Sequence, residues 1–73
     1  MLDILDRLQA ENGLVRLVLS NGMIAYGKPD CIVYDEYGDG DEVYKMIRFE
    51  PLNETQAVHL RLHDIAEYTR CNG

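Results

Sequence analysis

Three groups of residues in this chain carry side chains that could do chemistry: an acidic run, two histidines and two cysteines. The acidic run is Asp35-Glu36-Tyr37-Gly38-Asp39-Gly40-Asp41-Glu42, and its carboxylate density invites a calcium reading. An EF-hand loop begun at Asp35 would put Tyr37 at its third position and Met46 at its twelfth, where the bidentate glutamate belongs. That glutamate is missing and both flanks read as strands, so the run is expected to be a solvated hairpin loop. His59 and His63 lie four residues apart, a spacing that would make them joint metal ligands on a helix. The alternation through Leu62 reads as a strand instead, where residues 59, 61 and 63 share a face with Arg61 in the middle. A cation between two ligands opposes a metal ion. Although Asp64 is adjacent, no cysteine or carboxylate completes a set of known spacing, so surface histidines are expected.

Cys31 and Cys71 form no Cys-x-x-Cys pair. One disulfide is arithmetically available, but nothing points to an oxidising compartment. Cys31 is expected as a small buried apolar residue and Cys71 in a frayed tail. The sequence holds no Ser-His-Asp order, no phosphate-binding glycine loop and no dinucleotide fingerprint, so no catalytic residue, metal or cofactor is expected. The five tyrosines and one phenylalanine could stack on bases. In a thin core, Tyr26, Tyr34 and Tyr44 are better read as packing residues with hydroxyls at the rim. The strand-borne cations Arg16, Lys28, Lys45, Arg48 and Arg61 are scattered along the sequence.

The elements that must position these residues begin with an amphipathic helix over residues 1–12. Leu2, Ile4, Leu5 and Leu8 share one face, Asp3 and Asp6 sit at the favourable end of the dipole, and Gly13 suits a left-handed cap. A helix this short is marginal alone and needs a surface to rest on. Strands are expected at 14–19 and 23–28, joined by Asn21-Gly22 as a type I′ turn with positive φ at both residues. Gly27 suggests a bend or bulge, and Pro29 interrupts pairing because it donates no N–H. Further strands are expected at 31–34, 43–50 and 56–62, with Ile65 and Tyr68 closing the core. There are no repeats and no linker, so the chain reads as one domain over residues 1–73.

The chain has 73 residues and a formal charge of −6, from 13 acidic and 7 basic side chains. A chain of this size buries only about 60% of its unfolded surface, which leaves little material for a deep catalytic cleft. An apolar content of 47% is that of a folded globule rather than a disordered chain. The acidic balance argues against phosphate-driven nucleic-acid binding and fits a basic partner. With no apolar run of membrane length and no signal-like start, a cytoplasmic setting without membrane contact is expected.

One short helix followed by five short strands points to a strongly bent sheet that closes on itself. The helix, the Val15–Leu19 strand, Asn21-Gly22 and Gly27 resemble the start of an Sm-like (LSm) domain. In that family an apolar strand and a turn glycine are followed, after four residues, by a second glycine, as Gly22 and Gly27 are here. Leu60-Arg61-Leu62-His63-Asp64-Ile65 resembles the family's last strand. The likeness implies a five-stranded Sm-like or SH3-like barrel behind one N-terminal helix. It does not carry over the family's RNA-gripping residues. Asp35 falls later than the pattern wants, Gly38-Asp39-Gly40 stands where an Asn-containing turn belongs, and His63-Asp64 replaces Arg-Gly. The layout is also similar to the acidic Sm-like inhibitors of the transcription terminator Rho, which bind a protein, and to short Sm-like proteins of Gram-positive bacteria.

These readings converge on a non-enzymatic binding or regulatory module acting through protein–protein contact, self-association included. The alternative is RNA or other nucleic-acid binding through a local basic-aromatic face. The candidate interaction face is Arg16 and Val18 on the first strand with His59, Arg61 and His63 on the last, taken as edge positions.

Overall fold

The structure, a computed structural model, describes residues 2–36 and 43–71. Residues 37–42 of the acidic run, and the calcium reading that depends on them, lie outside the described residues. The helix α1 spans Ile4–Gln9, and strands follow at Val15–Leu19 (β1), Ile24–Glu36 (β2), Val43–Pro51 (β3), Val58–Arg61 (β4) and Ile65–Arg70 (β5). A 3₁₀ turn, Leu62–Asp64, joins the last two strands. All strand pairs are antiparallel, in the order β4-β3-β2-β1-β5. The fold is therefore mainly β, five strands in one sheet with one short N-terminal helix. Among the described residues the two edge strands form no ladder with each other, so the sheet is not closed into a barrel.

The helix is shorter than the apolar pattern suggests because its ends are set by hydrogen bonds. Asp3 and Asp6 form a reciprocal capping box, Asp6 N–H donating to Asp3 Oδ1 at 2.9 Å and Asp3 N–H to Asp6 Oδ2 at 3.3 Å. The C-cap is Ala10 in the right-handed region rather than Gly13. Leu5 and Leu8, three apart, are fully buried against Val15, Leu17, Ile47, Phe49 and Ile65. Full burial of such a side chain contributes about 1.5–3 kcal/mol. That contact, rather than intrinsic propensity, sustains a six-residue helix.

The first hairpin differs from the expected type I′ turn. Gly22 is the one described residue with left-handed φ, at 90°, and Asn21 does not share it. Gly22 N–H donates to Leu19 C=O at 2.9 Å, and Leu19 N–H to Met23 C=O at 2.8 Å. This is a three-residue loop, a type I turn over Ser20 and Asn21 completed by a left-handed glycine. The Asn21 side chain accepts from Met23 N–H at 3.0 Å, a local bond asparagine supplies readily.

Two bulges reshape the rest. Pro29 pairs with Phe49 and Ile32 with Ile47, so β2 carries one residue more than β3 between these pairs. The strands expected at 23–28 and 31–34 are thus one continuous strand bent at Pro29. The extra residue also inverts the alternation: Ile32 turns toward the core and Cys31 is exposed, not buried as expected. Gln9 Oε1 accepts the Ile32 N–H at 2.7 Å and so satisfies a donor beside the bulge. In β5, Leu17 pairs with Tyr68 and Leu19 with Ile65, which makes a second bulge. Residues 65–70 form a strand the apolar alternation does not announce, whereas the expected strand 56–62 is trimmed to Val58–Arg61. Cys71 is not frayed, since its N–H donates to Leu14 C=O at 2.9 Å.

Candidate functional site

The five residues expected to share an edge face do not share one. β1 lies inside the sheet between β2 and β5, so Arg16 and Val18 are on an interior strand. Their ladder partners Tyr26, Ile24, Thr69 and Glu67 place them on the face turned away from the core. β4 is an edge strand as expected, and His59 and Arg61 lie on it. His63 has left the strand for the 3₁₀ turn, so residues 59, 61 and 63 do not form one strand face.

Around β4 the sheet does gather some of the scattered cations. Arg48 pairs in register with His59, and Met46 with Arg61. The Arg61 guanidinium lies over the Tyr44 ring, 4.2 Å from its centroid. Arg48 Nε is 3.4 Å from Asp30 Oδ2. Tyr26 and Tyr34 are exposed rather than packed, at 47% and 66% of full accessibility.

Ser20, His63 and Asp64 line one small hollow, a set of residue types that suggests a nucleophile. The geometry does not make one. Ser20 Oγ donates to the backbone C=O of His63 instead of to its imidazole. Asp64 Oδ2 accepts from Arg61 N–H at 2.9 Å, which ties the carboxylate to the 3₁₀ turn. These groups fasten the first hairpin to the β4–β5 corner, as does Ser20 N–H donating to Asp64 C=O at 2.9 Å. Among the described residues no group of three or more His, Cys, Asp or Glu could hold a metal ion.

Two ionic clusters hold the helix region to the sheet. Lys45 Nζ reaches Asp3 Oδ2 at 3.0 Å and Asp6 Oδ1 at 2.7 Å, so one β3 lysine clasps both capping-box carboxylates. The Asp6 N–H and the lysine together hold the Asp3 carboxyl below its ordinary value, against a smaller opposing effect of burial. Glu11 receives the Arg70 guanidinium at 2.8 Å and the Tyr68 hydroxyl at 2.9 Å. Arg70 first, then Tyr68, lowers the Glu11 carboxyl, while burial and the neighbouring glutamate raise the Tyr68 phenol.

The feature best suited to binding is an apolar groove of about 540 Å³ lined by β1, β2, β3 and β4. Its floor is Leu19, Ala25, Phe49, Val58 and Leu60, which continue the core to the surface. Its rim is Met23, Ile24, Tyr26 and Leu52, all exposed, with Asn53 and Glu54 at one end. The volume falls in the roughly 300–1,000 Å³ range of binding pockets. Among the described residues Glu54 is the sole charged one in the lining. Sequence reasoning passed over Met23, Leu52 and Glu54; the available signal was a large apolar residue in each of two turn segments, where solvation favours polar ones.

No described helix is long and apolar enough to cross a membrane. No family model, no curated protein and no solved structure matches the chain.

Proposed function

We propose that this chain is a small, non-enzymatic binding module that acts by protein–protein contact. The observation that carries the reading is the open groove, in which core side chains run out to a rim of exposed Met23, Ile24, Tyr26 and Leu52. On a small domain such a continuous apolar surface is costly unless something covers it. The edge of β4, unpaired among the described residues, adds backbone donors and acceptors beside the groove, and a second copy of the chain is one partner it suits. The layout of one helix before five strands supports an Sm-like affinity. Two free cysteines fit a reducing compartment such as the cytoplasm.

The test is an affinity capture from lysate with and without nuclease, identifying protein and nucleic acid in each arm. A stoichiometric protein that survives nuclease is the expected result. RNA, or partners lost on nuclease treatment, would overturn the reading. They would favour the alternative, nucleic-acid binding, for which Arg48, His59, Arg61 and Tyr44 around β4 are the supporting group. Binding through that face would weaken steeply with added salt.

A further inference from the structure

We infer that the groove takes an extended, cationic segment of a partner protein, added as a strand along β4 with alternate apolar side chains in the groove and a lysine or arginine against Glu54. The inference rests on the protein-contact reading above and names the partner's chemistry.

The backbone supplies the first argument. Among the described residues β4 pairs with β3 on one side and with nothing on the other. Its free edge therefore offers a row of ladder positions. Val58 and Leu60 point from this strand into the groove, so a strand laid beside them would place every second side chain over the same apolar floor. A helix in the groove would satisfy the floor and leave the β4 edge unpaired.

Charge supplies the second. Among the described residues no lysine or arginine lines the groove, Glu54 does, and Glu54 has no ion-pair or hydrogen-bond partner. The adjoining hollow shares Leu19 and Leu60 with the groove and adds Asp64, but Asp64 Oδ2 accepts from Arg61 N–H and Oδ1 lies 3.4 Å from His63 Nε2, so Glu54 is the carboxylate open to a partner's cation. A second copy of this chain would bring another −6 to the contact. Of its cations, Lys45, Arg48 and Arg70 are already held by Asp3, Asp6, Asp30 and Glu11. A basic partner from outside the chain suits the site better.

The test is selection of random heptapeptides displayed on phage against the full chain. Enriched peptides are then synthesised and titrated against wild type and variants, each checked for a dispersed amide NMR spectrum. The expected sequences alternate apolar residues and carry lysine or arginine. Met23→Asp or Leu52→Asp, both at exposed sites, should weaken binding at least tenfold. Glu54→Lys should weaken it about fivefold at low salt, with the effect fading as salt rises. Glu67→Lys, a charge change of equal size at an exposed β5 site outside the groove lining, should leave affinity unchanged. Failure to enrich any peptide, enrichment of acidic or helically spaced sequences, or equal effects of Glu54→Lys and Glu67→Lys would each overturn the inference. A protein captured from nuclease-treated lysate equally well by wild type, Met23→Asp and Leu52→Asp would overturn it while leaving the protein-contact reading intact. Capture of RNA alone would overturn that reading itself.

Discussion

Gly22 and Gly27 show why residue type alone does not tell what a glycine is for. Gly22 has φ of 90° and open space around it, so its requirement is conformational. Alanine there costs about 1 kcal/mol of left-handed strain. Gly27 has ordinary φ but sits where β2 meets the end of β3. A Cβ there would lie 2.8 Å from both Phe49 Cζ and Pro51 Cα, and closer still to the Glu50 carbonyl oxygen. The β3 backbone at Glu50 and Pro51 cannot yield as a flexible side chain would, so Gly27→Ala should cost about 3 kcal/mol or more, at the top of the overpacking range. Urea unfolding of the two variants checks the ranking; equal losses would mean that the β2–β3 contact relaxes easily. The bend or bulge expected at Gly27 falls beyond Pro29 instead, since Gly27 is in register with both Val15 and Pro51. The spacing of these glycines was legible in the sequence. Their different reasons were not, because one depends on a local dihedral and the other on a strand 22 residues away.

At the scale of elements, the expected and observed strand counts agree through two offsetting differences. Two expected strands are the halves of β2, and β5 was not expected as a strand. Both differences come from bulges. Ile65 and Tyr68 are three apart yet both reach the core, because Ala66 is the extra residue in the β5–β1 ladder. A spacing of three reads as helical or irregular when a sequence is scanned for a period of two. The groove was illegible for a related reason, since its walls come from four strands and two turns that no local pattern joins. The helix was legible, because its stripe and its two aspartates are local. Asp3→Ala should cost about 1 kcal/mol through the lost cap, read from a thermal or urea melt. Glu11 gives a pH signature. Its carboxyl lies below the ordinary 4.5 in the folded chain, so the unfolded chain binds the proton first as pH falls. Its contribution is complete above about 4.5 and disappears as pH drops through the lowered value. The stability difference between wild type and Glu11→Gln should therefore be largest near pH 7 and narrow as pH falls below 4.5. A difference independent of pH would show that the contacts with Arg70 and Tyr68 act through packing alone.

For the whole molecule, two electrostatic effects oppose each other and magnitude decides between them. The ion pairs of Lys45, Arg48 and Arg70 favour the fold, and salt weakens them. The acidic surplus of 13 against 7 favours expansion, and salt relieves it. The lysine, with 30% of its side chain exposed, and the arginines, with 43% and 72%, sit in solvent-screened pairs of the kind that contribute little each. Lys45, bonded to both capping carboxylates, is the strongest of them. The surplus acts across the whole surface of a domain whose total stability is expected at about 4–11 kcal/mol. Repulsion should dominate, so the melting temperature should rise as sodium chloride increases from about 10 mM, where the screening length is about 30 Å, to about 150 mM, where it is about 8 Å. Thermal melts followed by circular dichroism at neutral pH check the sign. A falling melting temperature would mean that the Lys45 and Arg70 clusters outweigh the net charge. It would also weaken the case for a cationic partner, because that case treats the negative surface as an unmet demand rather than one already balanced within the fold.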